Sequence, residues 1–306
     1  MLKLCWFIML CLLPIKVIAA DFIEIGKIKT KQLEDIFNFY QYNGEKEYLM
    51  VSNYNYPPIF CKYFPEDFSS VTDEKHRNAL FVKILAPLTL KLNNEIYAER
   101  KKLQQIASDF QKKHELSKEQ EQNLEKSATK YDVFTRLKGH RRYSYLIDEL
   151  LQRIHVIPPS VLITAAALET NWGTSRIVKE ANSLYKTLVW HTDKGLKPIG
   201  ETEDDSYRIK VYPNIYASLQ EFALKINSSL AFKEFRDFRH QIMQRRMQFL
   251  GTMVTPYLVW NSPLKNYAGL FDYTLSYYEF IIIDKSVLNS KMINKPLPKN
   301  LQKHLL

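Results

Sequence analysis

The run "VLITAAALE", residues 161 to 169, constrains the fold of this chain more than any other stretch. Every residue from Val161 to Leu168 is apolar except Thr164, and the run ends in a carboxylate. A helix with no wet face must be covered on most sides, so the run predicts a central core helix. Pro158 halts the amphipathic pattern "YSYLIDELLQRIHVI" ahead of it, and Ser160 is placed to cap the new helix. Asn171 and Gly173 are common terminators, so Glu169 falls in the last turn. A charge there is costly unless it has a partner or a chemical task.

The rest of the chain is read around that helix. Residues 1–20, "MLKLCWFIMLCLLPIKVIAA", have a lysine near the start, an apolar stretch and a small-residue end, the layout of a secretory leader. The apolar stretch is short for a membrane span. The chain is therefore expected to be exported to the periplasm or cell envelope; an uncleaved leader would instead leave it membrane-associated. Residues 21–73 are mixed and carry no chemical signal. From Glu74 to Ile106, Leu80, Ile84, Leu88, Leu92, Ile96 and Leu103 recur at helical spacing, with Pro87 expected to kink or divide the helix. Ser117 and Gln120 form a capping box opening a second helix. A new unit begins near Tyr131, and the helical pattern returns after Pro213 in "SLQEFALKI", "FRDFRHQIM" and "YTLSYYEFIII".

Between these helices the period changes. "SLYKTLVWH" and "YRIKVY" are β-like runs around a polar loop that holds Asp193, Glu201, Glu203, Asp204 and Asp205. This reads as a β-hairpin flap on a helical body. The boundaries expected are 1–20 leader, 21–73 N-terminal segment, 74–130 helical region, 131–283 catalytic domain and 284–306 tail.

Charge and cysteine use narrow the partners. The chain has 43 basic and 33 acidic residues, a net +10, which falls to +8 once Lys3 and Lys16 leave with the leader. A basic exported protein suits an anionic wall or membrane surface. No nucleic-acid-binding motif is present, and "HRR" at 140–142 and "QRR" at 244–246 read as solvated faces. Cys5 and Cys11 lie in the leader, so Cys61 is expected to be a lone structural thiol. No metal motif and no cofactor motif occur, so neither is expected.

"VIPPSVLITAAALETNWGTSR" followed by "ANSLY" resembles the core motif of the bacterial glucosaminidases of glycoside hydrolase family 73, particularly the exported Bax-like branch. "FVKILAPLTLKLNNEIYAERKKL" resembles the helical region that precedes the catalytic domain there. The likeness covers roughly residues 75 to 280. It implies a mainly α (α+β), lysozyme-like fold with a small β flap. The implied reaction is hydrolysis of the β-1,4 bond after N-acetylglucosamine in peptidoglycan; the chain itself is expected to be a monomer.

The resemblance makes Glu169 the general acid, which agrees with its setting. A carboxyl against apolar helix and indole has its charged form disfavoured, and Trp172 is available as that indole or as plain core. Gly173 would allow a tight turn, with Thr174 and Ser175 capping the next helix. Asn182 and Tyr185 match positions on the floor of the sugar cleft. The second carboxylate is expected from the flap as Glu201 or Glu203, unless the substrate's N-acetyl group assists.

Two departures bear on activity. Lys186 stands where the family's glycine shapes the turn into the flap. Trp260 stands where relatives place a tyrosine near the catalytic glutamate, and Tyr267 matches a later tyrosine. Tryptophan can stack on sugar but has no phenolic proton. The alternative is a catalytically impaired wall-binding or assembly protein that keeps the cleft.

Overall fold

The computed structural model describes residues 22–42, 54–190, 194–199, 207–258 and 266–306, and shows a mainly α protein with a few short strands. The apolar run forms α5 (Pro159–Thr170), which is buried from Pro159 to Ala167. Around it pack α2 (Glu74–Lys113), α9 (Tyr267–Tyr277) and a 3-10 segment, Phe280–Lys285. Further helices in this part of the chain are α3 (Lys118–Lys130), α4 (Gly139–Arg153), α6 (Arg176–Ala181), α7 (Ile215–Ser228) and α8 (Lys233–Gln244).

Two sequence expectations change at helix ends and breaks. Helix α5 begins two residues earlier than expected, with Pro158 at the cap and Pro159 in the first turn. Ser160 is thus inside the helix. Its amide and its hydroxyl both donate to Asp284, at 2.8 Å each, and Gly251 N–H donates to the same carboxyl at 2.8 Å. A carboxylate 124 residues away thus serves the amide that a side-chain cap would have served. Proline 87, for its part, does not divide α2, which runs unbroken through it. Proline has no N–H, which leaves the carbonyl four residues back without its helical donor. That carbonyl belongs to Lys83, and the buried Tyr42 hydroxyl donates to it at 3.4 Å.

The capping box at α3 forms as read, with Ser117 and Gln120 exchanging side-chain and backbone bonds. "YTLSYYEFIII" does not stay α-helical. It breaks at Tyr278 and Glu279, the latter at φ 53°, and tightens into the 3-10 segment that buries Phe280 and Ile283 and aims Asp284 at α5.

The N-terminal segment and the C-terminal tail pack together. Strand β1 (Ile23–Ile25) pairs in parallel with β3 (Ile59–Cys61), and β2 (Asn55–Tyr56) with β6 (Val287–Leu288). Helix α1 (Thr30–Phe39) lies between β1 and β2, and α10 (Lys299–Gln302) leads to a last bridge between Leu305 and Ile25. Cys61 is free and buried, and burial pushes its thiol up to about 12, so it stays protonated and inert. The flap is present as β4 (Leu188–Trp190) antiparallel to β5 (Tyr207–Ile209), a narrower hairpin than the β-like runs. Its five acids, Asp193, Glu201, Glu203, Asp204 and Asp205, lie outside the described residues. So do the leader and Trp260. Among the described residues no helix is long and apolar enough to cross a membrane.

Buried guanidinia close the ends of α4 and α7. Arg239, 1% exposed, donates to the Gln152, Arg153, His155 and Val156 carbonyls and to Asn227. Arg236 donates to the carbonyls of Ile226 and Ser229. Cations at helix C-termini oppose the negative end of the macrodipole, which offsets part of their desolvation.

Candidate active site

Helix α5 surfaces at its last turn. Leu168 and Glu169 are half-buried after seven residues of full burial from Val161 to Ala167, and Asn171 then leaves the helix at φ 48°. The turn that follows is heavily pinned. Thr170 hydroxyl donates to the Ala166 carbonyl at 2.5 Å and accepts from Gly173 N–H at 2.9 Å, while Thr174 hydroxyl donates to the Asn171 carbonyl at 2.7 Å. Thr174 therefore braces this turn. Ser175 occupies the cap position of α6, yet its hydroxyl makes no capping bond. A carboxylate on such a support has few ways to drift, which is what positioned proton transfer requires.

Tyr267 faces it. The first residue of α9 is buried, and its phenol is held well above the ordinary range by burial first and by the Glu169 charge second. The hydroxyl therefore keeps its proton and can donate toward the carboxyl. The tyrosine brought to the glutamate is thus Tyr267, the one that the sequence placed later in the pattern. Tyr185 adds a smaller contribution to the same phenol. Its own ring stacks on Phe222 with centroids 3.9 Å apart, and its hydroxyl donates to the Leu162 carbonyl at 3.1 Å. One face of Tyr185 and its proton are thus spent inside the protein.

Trp172 is half-buried in an aromatic cluster, with ring centroids 4.5 Å from Tyr278, 5.6 Å from Phe81 and 6.2 Å from Phe280. It anchors the end of α5 against α2. Gly173 sits at φ 78°, and a Cβ there would lie 3.0 Å from Phe64 and Phe68 and 3.1 Å from Phe81. The turn thus needs glycine twice, for its backbone and for the three phenyl rings pressed on it. Asn182 ends α6 at φ 49° and donates to the Tyr212 carbonyl at 2.9 Å. Lys186 adopts φ 47° at the place where the resemblance expects glycine, so the chain keeps the left-handed turn without the residue that suits it. Among the described residues no group of three histidine, cysteine, aspartate or glutamate side chains is placed to hold a metal.

The sequence also gave no sign of a groove of about 530 Å³ between the N-terminal segment and α6. Lys27, Tyr63, Phe64 and Glu66 line one side, and Thr174, Lys179 and Asn182 the other. Its N-terminal wall was unreadable because those residues have no periodic pattern and meet α6 only through the fold.

Comparison with known proteins places the chain beside glucosaminidases. Residues 145–282 match the glucosaminidase family model, described as mannosyl-glycoprotein endo-beta-N-acetylglucosaminidase, and carry Glu169, the flap and Tyr267. This stretch is similar to glucosaminidases, a likeness that points to a glycosidase. The chain is also similar to Protein bax of Escherichia coli strain K12, at 26% identity over 180 residues. That alignment takes in 58% of this chain and 60% of the relative's length. No solved structure matches.

Proposed function

We propose that the protein is an exported peptidoglycan hydrolase that cleaves the β-1,4 bond after N-acetylglucosamine, with Glu169 as general acid. The observation that carries this reading is the placement of Glu169: the one acid of a buried helix, emerging at its pinned last turn opposite a protonated phenol, inside a stretch that matches glucosaminidases. Protonation of the glycosidic oxygen by such a carboxyl relieves charge on the departing sugar. Tyr267 orients the carboxyl.

A second group must complete the displacement. A flap acid, Glu201 or Glu203, would act as nucleophile at ~5 Å from Glu169 or as base for water at ~6.5–9.5 Å. The substrate's own N-acetyl oxygen is the other route. The first strand of the flap, β4, begins three residues after Tyr185 in the sequence.

Digestion of purified cell wall, read by mass spectrometry, tests the assignment. Products ending in reducing N-acetylglucosamine are expected. Reducing N-acetylmuramic acid would overturn the bond assigned, and intact wall beside cleaved glycoprotein glycans would overturn the substrate.

A further inference from the structure

The groove against the N-terminal segment has the form of a ligand site, and nothing in the proposed chemistry uses it. Its volume of about 530 Å³ lies within the roughly 300–1,000 Å³ typical of small-ligand sites. Its walls are fixed before any ligand arrives. Asp67 accepts from Thr30 amide and hydroxyl at 2.7 and 2.8 Å; burial alone would raise this carboxyl, but those bonds hold it below its ordinary value. Glu66 N–H donates to the Ile28 carbonyl, and Ile215 N–H to the Lys62 carbonyl, which ties the N-terminal wall to the start of α7. A preformed site loses little entropy on binding.

The lining is charged with both signs. Lys27 and Lys179 stand on opposite walls with no carboxylate partner among the described residues, and Glu66 lies between apolar Phe64 and Phe68 in sequence. Tyr63, Thr174 and Asn182 add neutral polar atoms. A neutral sugar has no use for this charge. A short peptide bearing carboxylates and a free amine does, because two ammonium groups and one carboxylate complement it. One wall, Lys27 and Tyr63–Ser69, lies outside the matched stretch 145–282, whereas the other follows Glu169 by a few residues through Gly173 and Thr174.

We infer that this groove binds the peptide stem carried by the wall polymer, so that the N-terminal segment selects stem-bearing strands for the cleft. The inference rests on the proposed wall substrate, and its test is a binding measurement that needs no turnover. Glu169→Gln protein is titrated calorimetrically with two soluble glycan fragments of equal length, one with stems and one stripped of them by an amidase. The stripped sugar retains a carboxylate of its own, so one negative charge is present in both. Stem-bearing fragment should bind roughly tenfold more tightly, and Lys27→Glu with Lys179→Glu should remove most of that difference. Equal affinity for the two fragments, or an unchanged difference in the folded double variant, overturns the inference. Continued hydrolysis by Glu169→Gln would overturn the role of Glu169 and leave the groove to be judged on the affinities.

Discussion

Tyr267 sets its buried hydroxyl against the Glu169 carboxyl, joining the first turn of α9 to the last turn of α5. The contact spans almost a hundred residues of sequence. Because burial keeps the phenol protonated, the pair is a donor facing an acceptor rather than two competing acids.

Glu169→Gln should abolish wall hydrolysis without unfolding the protein. Glutamine is nearly isosteric and can still accept from Tyr267, but it cannot hand a proton to the leaving oxygen. Turnover should fall by ~10²–10⁴, with substrate binding largely retained. An active variant of unchanged thermal midpoint would take Glu169 out of the mechanism.

Tyr267→Phe keeps the ring and loses the donor. We expect kcat to drop ~10-fold or more while KM changes little, since the loss falls on the orientation of the acid rather than on contact with sugar. A change in KM alone, at constant kcat, would make Tyr267 a substrate contact instead.

The two positions also show what the sequence could and could not tell. The position of Glu169 at a helix end was legible because the unbroken apolar run, the terminators and the motif all converge there. Its facing tyrosine was not, since "LVWNSPLKNY" and "NYAGLF" both offer aromatics and only the packing of α9 on α5 selects between registers. Asp284 was invisible for a related reason. It follows three isoleucines that read as more helix, and its task is to serve amides at Ser160 and Gly251 that sequence proximity does not connect to it. Residues 21–73 carried no chemical pattern, yet Phe64 and Phe68 press on Gly173.

Gly173→Ala tests that packing. The added methyl meets three phenyl rings at a positive φ, so the variant should lose about 1–3 kcal/mol by urea unfolding. Activity should fall with it, because the turn that shifts is the one holding Glu169. Unchanged stability would mean that the rings give way freely and that the turn is not braced by them.

Lys186→Gly should move stability the other way. A lysine at φ 47° carries a steric cost of roughly 1 kcal/mol that glycine does not, partly offset by glycine's freedom in the unfolded chain. The thermal midpoint should rise by ~1–3 °C. A fall would show that the lysine side chain contributes more at the base of the flap than its backbone costs.

Asp284 gives the chain a pH dependence of defined sign. Burial pushes its carboxyl from the ordinary 3.8 up to about 6, outweighing the hydrogen bonds from Gly251 and Ser160 that favour the charged form. A folded state that holds a proton more tightly than the unfolded chain is favoured at low pH. The contribution is thus complete below about 3.8 and is lost as pH rises through about 6. Asp284→Asn cannot titrate, and its amide sets a donor toward either Ser160 or Gly251, so it should be less stable throughout by about 1–3 kcal/mol. The informative quantity is the difference between the two proteins in urea unfolding across that pH window. It should shrink steadily as pH rises, because only the wild-type must give up a proton to remain folded. A difference that grows with pH would mean that the hydrogen bonds prevail over burial, and that Asp284 holds α5 as an ordinary ionised carboxylate.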